Sequence, residues 1–196
     1  MPTPASEYKV NKKASILLVG TGVVLIVMNV LLLQQNKELK AYAGKMNRSL
    51  GLKPGTEVPP LKGVDLNGAG REFSFGEDAR KTLLLILSPT CGPCKENMPN
   101  WEALMKDMDE RLARVVVVST APRGVKEFTS GFDLGNAPVI AEIDQETRTA
   151  YNMIATPQTI LIGPDGKTER TWTGPLSAEM QQDVKQALGY PLSKYR

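Results

Sequence analysis

The chain has 196 residues, 41% of them hydrophobic and 23% charged, with a formal net charge of +3. That length leaves room for one ordinary folded domain plus accessory segments, and the composition is that of a folded chain. A positive balance so small and so scattered excludes the electrostatic footprint of a nucleic-acid binder.

Residues 1–13 are short and polar, carry Lys9, Lys12 and Lys13, and read as a cytoplasmic tail. Ala14 to Leu33 then form an apolar run interrupted only by Ser15, Gly20, Thr21, Gly22 and Asn29, with no charge. At about 1.5 Å rise per residue this run matches a hydrocarbon core of roughly 30 Å. The expectation is a single transmembrane anchor over 14–33, in contact with the lipid bilayer. A cleaved signal peptide is the rival, because Ala41-Tyr42-Ala43 resembles a cleavage site. The run is longer than the usual apolar core of about 7–15 residues, however, and Lys37, Glu38 and Lys40 intervene. A buried core helix would need a polar face, which is absent. Lys37, Lys40, Lys45 and Arg48 follow the span as lysines precede it, so flanking charge does not set the orientation.

Residues 34–56 turn polar and read as a stalk, with Gln34 to Lys40 prolonging the helix until Gly51 and Pro54-Gly55 break it. A folded domain is expected over 57–190, with a tail at 191–196. Val58 to Leu66 and Arg71 to Phe75 flank Asn67-Gly68, the signature of a β-hairpin. Leu83 to Leu87 is continuously apolar, as for a central strand covered on both faces. After Cys94, residues Met98, Trp101, Leu104, Met105 and Met108 recur at helical spacing as a core face, with Pro99 inside the helix as a kink. Val115 to Val118 is a second buried strand, and Ser119 to Glu142 a less regular stretch. Asp144 to Tyr151 reads as a short helix. Ile160 to Ile162, the Pro164-Asp165-Gly166 turn and Glu169 to Thr173 make a second hairpin. Ser177 caps a last amphipathic helix with Met180, Val184, Ala187 and Leu188. Strands alternating with helices predict an α/β fold with a mixed sheet flanked by helices.

The motif that carries chemistry is Cys91-Gly92-Pro93-Cys94, holding the only two cysteines of the chain. Two intervening residues at a helix start let the sulfurs reach disulfide distance, while the first thiol faces the unpaired N–H groups and positive dipole end of the helix. Cys91 is therefore the expected nucleophile and Cys94, one turn further in, the resolving thiol. Pro93 suits a first helical turn, where its missing N–H costs nothing. Zinc needs about four nitrogen or sulfur ligands, and the chain has no histidine and no third cysteine, so no metal and no cofactor are expected. A purely structural disulfide closing so short a loop would constrain the unfolded chain little.

The motif Cys91-Gly92-Pro93-Cys94, Pro99 five residues later, and Thr156-Pro157 ahead of Gln158 to Ile162 resemble the thioredoxin superfamily. With the N-terminal anchor, the Leu66-Asn67-Gly68 hairpin, Glu96-Asn97-Met98-Pro99 and Ile162 to Lys167, the chain is similar to the TlpA/ResA group of membrane-anchored thiol-disulfide oxidoreductases. The resemblance covers roughly residues 55 to 190. It implies a thioredoxin-like fold with an N-terminal hairpin extension, and an extra strand and helix between Cys94 and Pro157. It also implies a cis Thr156–Pro157 bond beside the cysteines, with Thr156 offering backbone to a bound peptide, and support from Gly92 and Pro93.

On the same ground the domain is expected on the periplasmic or extracytoplasmic side of the cytoplasmic membrane. It would exchange electrons with protein disulfide or dithiol clients, cytochrome c maturation being one pathway, and be served by a membrane thiol carrier of the DsbD or CcdA kind. Ser88-Pro89-Thr90 stands where thioredoxins carry Trp before the first cysteine, and is similar to the thioredoxin-like accessory proteins of methylamine utilisation. The buried Asp of thioredoxin falls on Leu85, and the Glu of ResA-like proteins on Asn97. Glu96 is expected to point to solvent. A peroxiredoxin-type peroxidase, suggested by Pro89-Thr90-Cys91, and a metal-delivery or assembly module on the same fold are the alternatives.

Overall fold

The computed structural model describes residues 12–77, 79–106 and 108–190. The expected tail at 191–196, and all but the last residues of that at 1–13, lie outside them. The chain divides into two compact units, one ending at Lys45 and one starting at Met46.

The first unit is dominated by α1 (Lys12–Ser49), which contains an apolar stretch, Ser15–Leu39, long and apolar enough to cross a membrane. Side chains such as Leu17, Ile26 and Leu33 are exposed along it. Its interior polar groups turn inward: Thr21 Oγ1 donates to the Leu17 carbonyl and Asn29 Nδ2 to that of Leu25, both at 2.8 Å. Such back-bonding one turn up satisfies a hydroxyl or amide without water.

The helix continues to Ser49, and the segment after it is bonded into the second unit. Asn152 Nδ2 and Gln158 Nε2 both donate to the Leu50 carbonyl, at 3.2 and 3.1 Å. Thr171 Oγ1 donates to that of Leu52 at 3.1 Å. Gly55 N–H donates to Thr168 O, and Thr168 N–H to Thr56 O. These backbone groups had to find partners once laid against the sheet.

The second unit is a seven-stranded mixed sheet in the order β2-β1-β5-β4-β3-β6-β7. The strands are β1 (Leu61–Asp65), β2 (Gly70–Phe73), β3 (Lys81–Leu87), β4 (Ala113–Ser119), β5 (Val139–Glu142), β6 (Gln158–Ile162) and β7 (Thr168–Thr173). β3, β4 and β5 are parallel, whereas β6 pairs antiparallel with both β3 and β7. The first hairpin is shorter than its sequence suggests. Pro59-Pro60 cannot donate to a ladder, so β1 starts at Leu61, and Phe75 lies beyond β2, against the Arg114 guanidinium. The turn is held by Asp65, whose carboxylate accepts from the Asn67 and Ala69 N–H groups, while Gly68 takes φ +80.

The central strands explain their own sequence. Leu83, Leu85, Leu87, Val115, Val117 and Leu161 point to one face, where α2 (Gly92–Lys106) and α5 (Ala178–Ala187) cover them. Leu84, Ile86, Val116, Val118, Ile160 and Ile162 point to the other, where Val58, Tyr151 and Met153 pack. Both faces are buried, so the runs are apolar throughout rather than alternating. The stretch from Ser119 to Glu142, irregular by pattern alone, contains α3 (Val125–Thr129) and the strand β5, which bridges β4 and β1. α4 (Gln145–Ala150) and α5 are capped by Asp144 and Ser177, whose side chains accept from the Thr147 and Met180 N–H groups.

Candidate active site

β3 ends at Leu87, and a turn closed by Cys91 N–H donating to Ser88 O at 3.1 Å leads into α2. The helix starts at Gly92, so Gly92 and Pro93 form its exposed first turn. Cys91 and Cys94 are disulfide-bonded, with Cα atoms 5.2 Å apart. Their exposure differs: Cys91 is partly accessible, whereas Cys94 is wholly buried in the cluster under α2 and α5. A partner can reach only the first sulfur.

Two groups touch Cys91 Sγ. The Cys94 backbone N–H donates to it at 3.2 Å. The Thr156 carbonyl lies 3.4 Å away, in reach to accept the thiol proton once the disulfide is reduced. The N–H, together with the helix N-terminus, favours a thiolate; the carbonyl favours a thiol. The Thr156–Pro157 peptide bond is cis. Pro157 is buried and β6 begins directly after it, so the strand next to β3 is what holds this loop against the disulfide.

No histidine exists to assist. Glu96 is exposed on α2, and among the described residues no group of three or more His, Cys, Asp or Glu side chains could hold a metal. Burial pushes the Tyr151 phenol up, but it sits on the opposite face of the sheet and donates to the Pro59 carbonyl. A cavity of about 230 Å³ lined by Met105, Met108, Arg114 and Leu134 lies at the N-terminal end of β4, away from the disulfide.

Two features around the site were missed in sequence. Asn97, one turn beyond Cys94, is fully buried; its Oδ1 accepts from Leu176 N–H at 2.7 Å and from Asn100 Nδ2 at 3.1 Å. Gln158, directly after the cis proline, is also buried and reaches back to Leu50. For Asn97 a signal existed: it is a polar residue on the helical face shared by Cys94, Met98 and Trp101.

A family profile described as Redoxin matches residues 53–188. The chain belongs to the Redoxin family. This Redoxin chain is 26% identical over 174 residues to the thiol-disulfide oxidoreductase ResA of Bacillus subtilis, covering 88% of this chain and 93% of that protein. It is 29% identical over 151 residues to the thioredoxin-like protein YneN of the same organism, covering 73% and 85% of the two chains. A putative thiol:disulfide interchange protein DsbE from Chlorobium tepidum shares the fold with a TM-score of 0.58 at 22% identity, over 70% of this chain and 99% of that one. StoA of Bacillus subtilis does so at 0.52 and 20%, over 67% and 97%. The protein is thus a thioredoxin-superfamily member of the ResA type, with the fold and close cysteine pair of a thiol-disulfide oxidoreductase.

Proposed function

We propose that this thiol-disulfide oxidoreductase reduces protein disulfides outside the cytoplasm, with Cys91 as nucleophile and Cys94 as resolving thiol. The observation that carries the reading is the asymmetry of the pair, one sulfur accessible at a helix start and hydrogen-bonded by Cys94 N–H, the other buried. The Cys91 thiolate attacks a client disulfide, forming a mixed disulfide and releasing one client thiolate, which takes a proton from water. Cys94 then attacks Cys91 Sγ, the mixed disulfide breaks, and the second client thiolate leaves. Two electrons pass from the dithiol to the client, and the Cys91–Cys94 disulfide remains to be reduced. Thr156 and Pro157 border the accessible sulfur and offer backbone to the client, while Gly92 and Pro93 leave the approach open.

The same reading takes 14–33 as a single-pass anchor in the cytoplasmic membrane, with 1–13 inside and the thioredoxin-like domain on the periplasmic or extracytoplasmic side. Support comes from the length and apolarity of Ser15–Leu39. A membrane thiol carrier of the DsbD or CcdA kind would return the dithiol state, and a protein of cytochrome c maturation or another secreted redox protein would be the client. Cys94→Ser tests this: it accumulates client adducts through Cys91 that sediment with membranes, dissolve only in detergent and dissociate with dithiothreitol. Cys91→Ser in the same cells yields none. Absence of adducts in Cys94→Ser, or adducts in the soluble cytoplasmic fraction, overturns the reading.

A further inference from the structure

Asn97 holds a buried donor without an acceptor. Its Oδ1 takes the Leu176 N–H and Asn100 Nδ2, and because a backbone N–H can only donate, this fixes which end of the amide is oxygen. The Nδ2 that results is buried and has no hydrogen-bond partner among the described residues. Folded chains rarely leave such a group unpaired, and each one calls for an explanation. Helical side chains lean toward the N-terminal turn, and residues three apart share a face. Asn97 therefore shares its face with Cys94, whose sulfur is buried. In the disulfide that sulfur is a weak acceptor; as a thiolate it is a strong one.

The charged groups of the surrounding elements are spoken for or exposed. On α2, Lys95 and Glu96 are exposed. Lys81 of β3 donates to Glu169 of β7 and to the Ala187 carbonyl. Asp183 of α5 takes Arg170 of β7 and Trp172 Nε1. On β4, Arg114 donates to Thr82 Oγ1 and the Ser74 carbonyl. Glu179 of α5 and Lys126 and Glu127 of α3 are exposed, and Lys185 of α5 is half-buried.

We propose that the Nδ2 amide of Asn97 is the hydrogen-bond donor that receives the Cys94 sulfur as a thiolate when the disulfide opens. The bond is unmade in the disulfide and made in the dithiol and in the mixed disulfide, so it favours the states in which Cys94 must react. When Cys94, its proton already given to water, attacks Cys91 Sγ, the Cys91–client bond breaks and the Cys91–Cys94 bond forms. The client thiolate leaves with the electron pair, and Asn97 Nδ2 is released. A neutral amide thus stabilises the thiolate without taking its proton, which leaves to water. The inference rests on exchange chemistry at this pair, but its test reads the thiol itself and survives failure to find a client.

The test uses the full chain in detergent micelles carrying Cys91→Ser, so that Cys94 is the sole thiol, titrated by thiolate ultraviolet absorbance. Asn97→Ala removes both ends of the amide; Asn97→Asp keeps the acceptor for Leu176 and Asn100 and loses the donor. Each is expected to show about tenfold less Cys94 thiolate at a given pH below its midpoint, the weight of one hydrogen bond to a charged group. An unmoved titration in Asn97→Ala, or a shift in Asn97→Asp alone, which is repulsion by the new carboxylate, overturns the proposal. Should Asn97→Ala fail to fold, the Asn97 side-chain amide protons are followed by NMR with Asn97 intact. Resonances that move with the Cys94 titration support the bond, and resonances indifferent to it overturn it.

Discussion

Trp101 fixes the distance between the helix that carries the cysteines and the strand that follows the cis proline. Its indole N–H donates to Thr159 Oγ1 at 2.9 Å, and both residues are buried. An indole brings a large apolar body and one donor, and here the body fills the core under α2 while the donor is satisfied by β6. Trp101→Phe keeps most of the ring volume and strands the hydroxyl, at a cost of about 2 kcal/mol. The check is the shift of the denaturation midpoint, compared with Met98→Leu, a volume-conserving change in the same cluster expected to cost under about 1.5 kcal/mol. Cys91 itself sits between opposed influences, the Cys94 N–H against the Thr156 carbonyl.

Among the elements, β1 is the one whose attachment depends on a missing side chain. A Cβ at Gly63 would stand 2.5 Å from the Glu142 carbonyl oxygen and 2.3 Å from Ile140 Cγ2. Neither contact can be tolerated, and the first is with backbone, so β5 or β1 must move. Gly63→Ala is expected to destabilise the unit by about 1–3 kcal/mol, as overpacking does. The loss is local: amide exchange accelerates in β1 and β2, which hang on β5 through this pairing, before it does in β3 and β4. Equal acceleration across the whole sheet would show that the hairpin is not a separable edge. The helices follow simpler rules. α4 and α5 begin where Asp144 and Ser177 accept from the third residue on, and both starts were legible because those residue types precede helical runs.

For the whole molecule, stability against acid follows from three carboxylates. Asp65 is held below the usual carboxylate range by the Arg71 side chain first and then by the Ala69 and Asn67 N–H groups. Asp109 is lowered to about 2, mainly by the Arg111 side chain, and Asp144 is lowered by the Thr147 N–H it caps. Folded values below the unfolded ones mean that the unfolded chain binds more protons in this range, so stability rises with pH there. The contribution is complete above the ordinary value of 3.8 and is lost as pH falls through the folded values, to about 2 for Asp109. Thermal midpoints of the disulfide form should therefore fall from about pH 4 downward and stay level from about pH 5 to 8, since the chain has no histidine to titrate there. A midpoint that changed across the neutral range would contradict this assignment.

What was legible in sequence is what local chemistry decides. The apolar runs Leu83–Leu87 and Val115–Val118 declare strands buried on both faces, Cys91 to Cys94 declares a dithiol at a helix start, and Ala14 to Leu33 declares a helix with no polar side. β5 and α3 are too short to outweigh neighbouring Pro and Gly residues by pattern alone, and β5 exists because β4 and β1 leave an open ladder between them. Residues 50–56 read as linker because they are broken by Pro54-Gly55, yet the open carbonyls of that segment meet donors from Asn152, Gln158 and Thr171. Sequence by itself determined the chemistry and the central strands, through periodicity and through two sulfurs set one turn apart. Tertiary structure alone decided that Asn97 Oδ1 accepts from Leu176 N–H, and that the Leu50 and Leu52 carbonyls take donors from Asn152, Gln158 and Thr171. Each of those depends on a partner supplied from far along the chain, whose position is set by the packing of the sheet and not by the residues beside it.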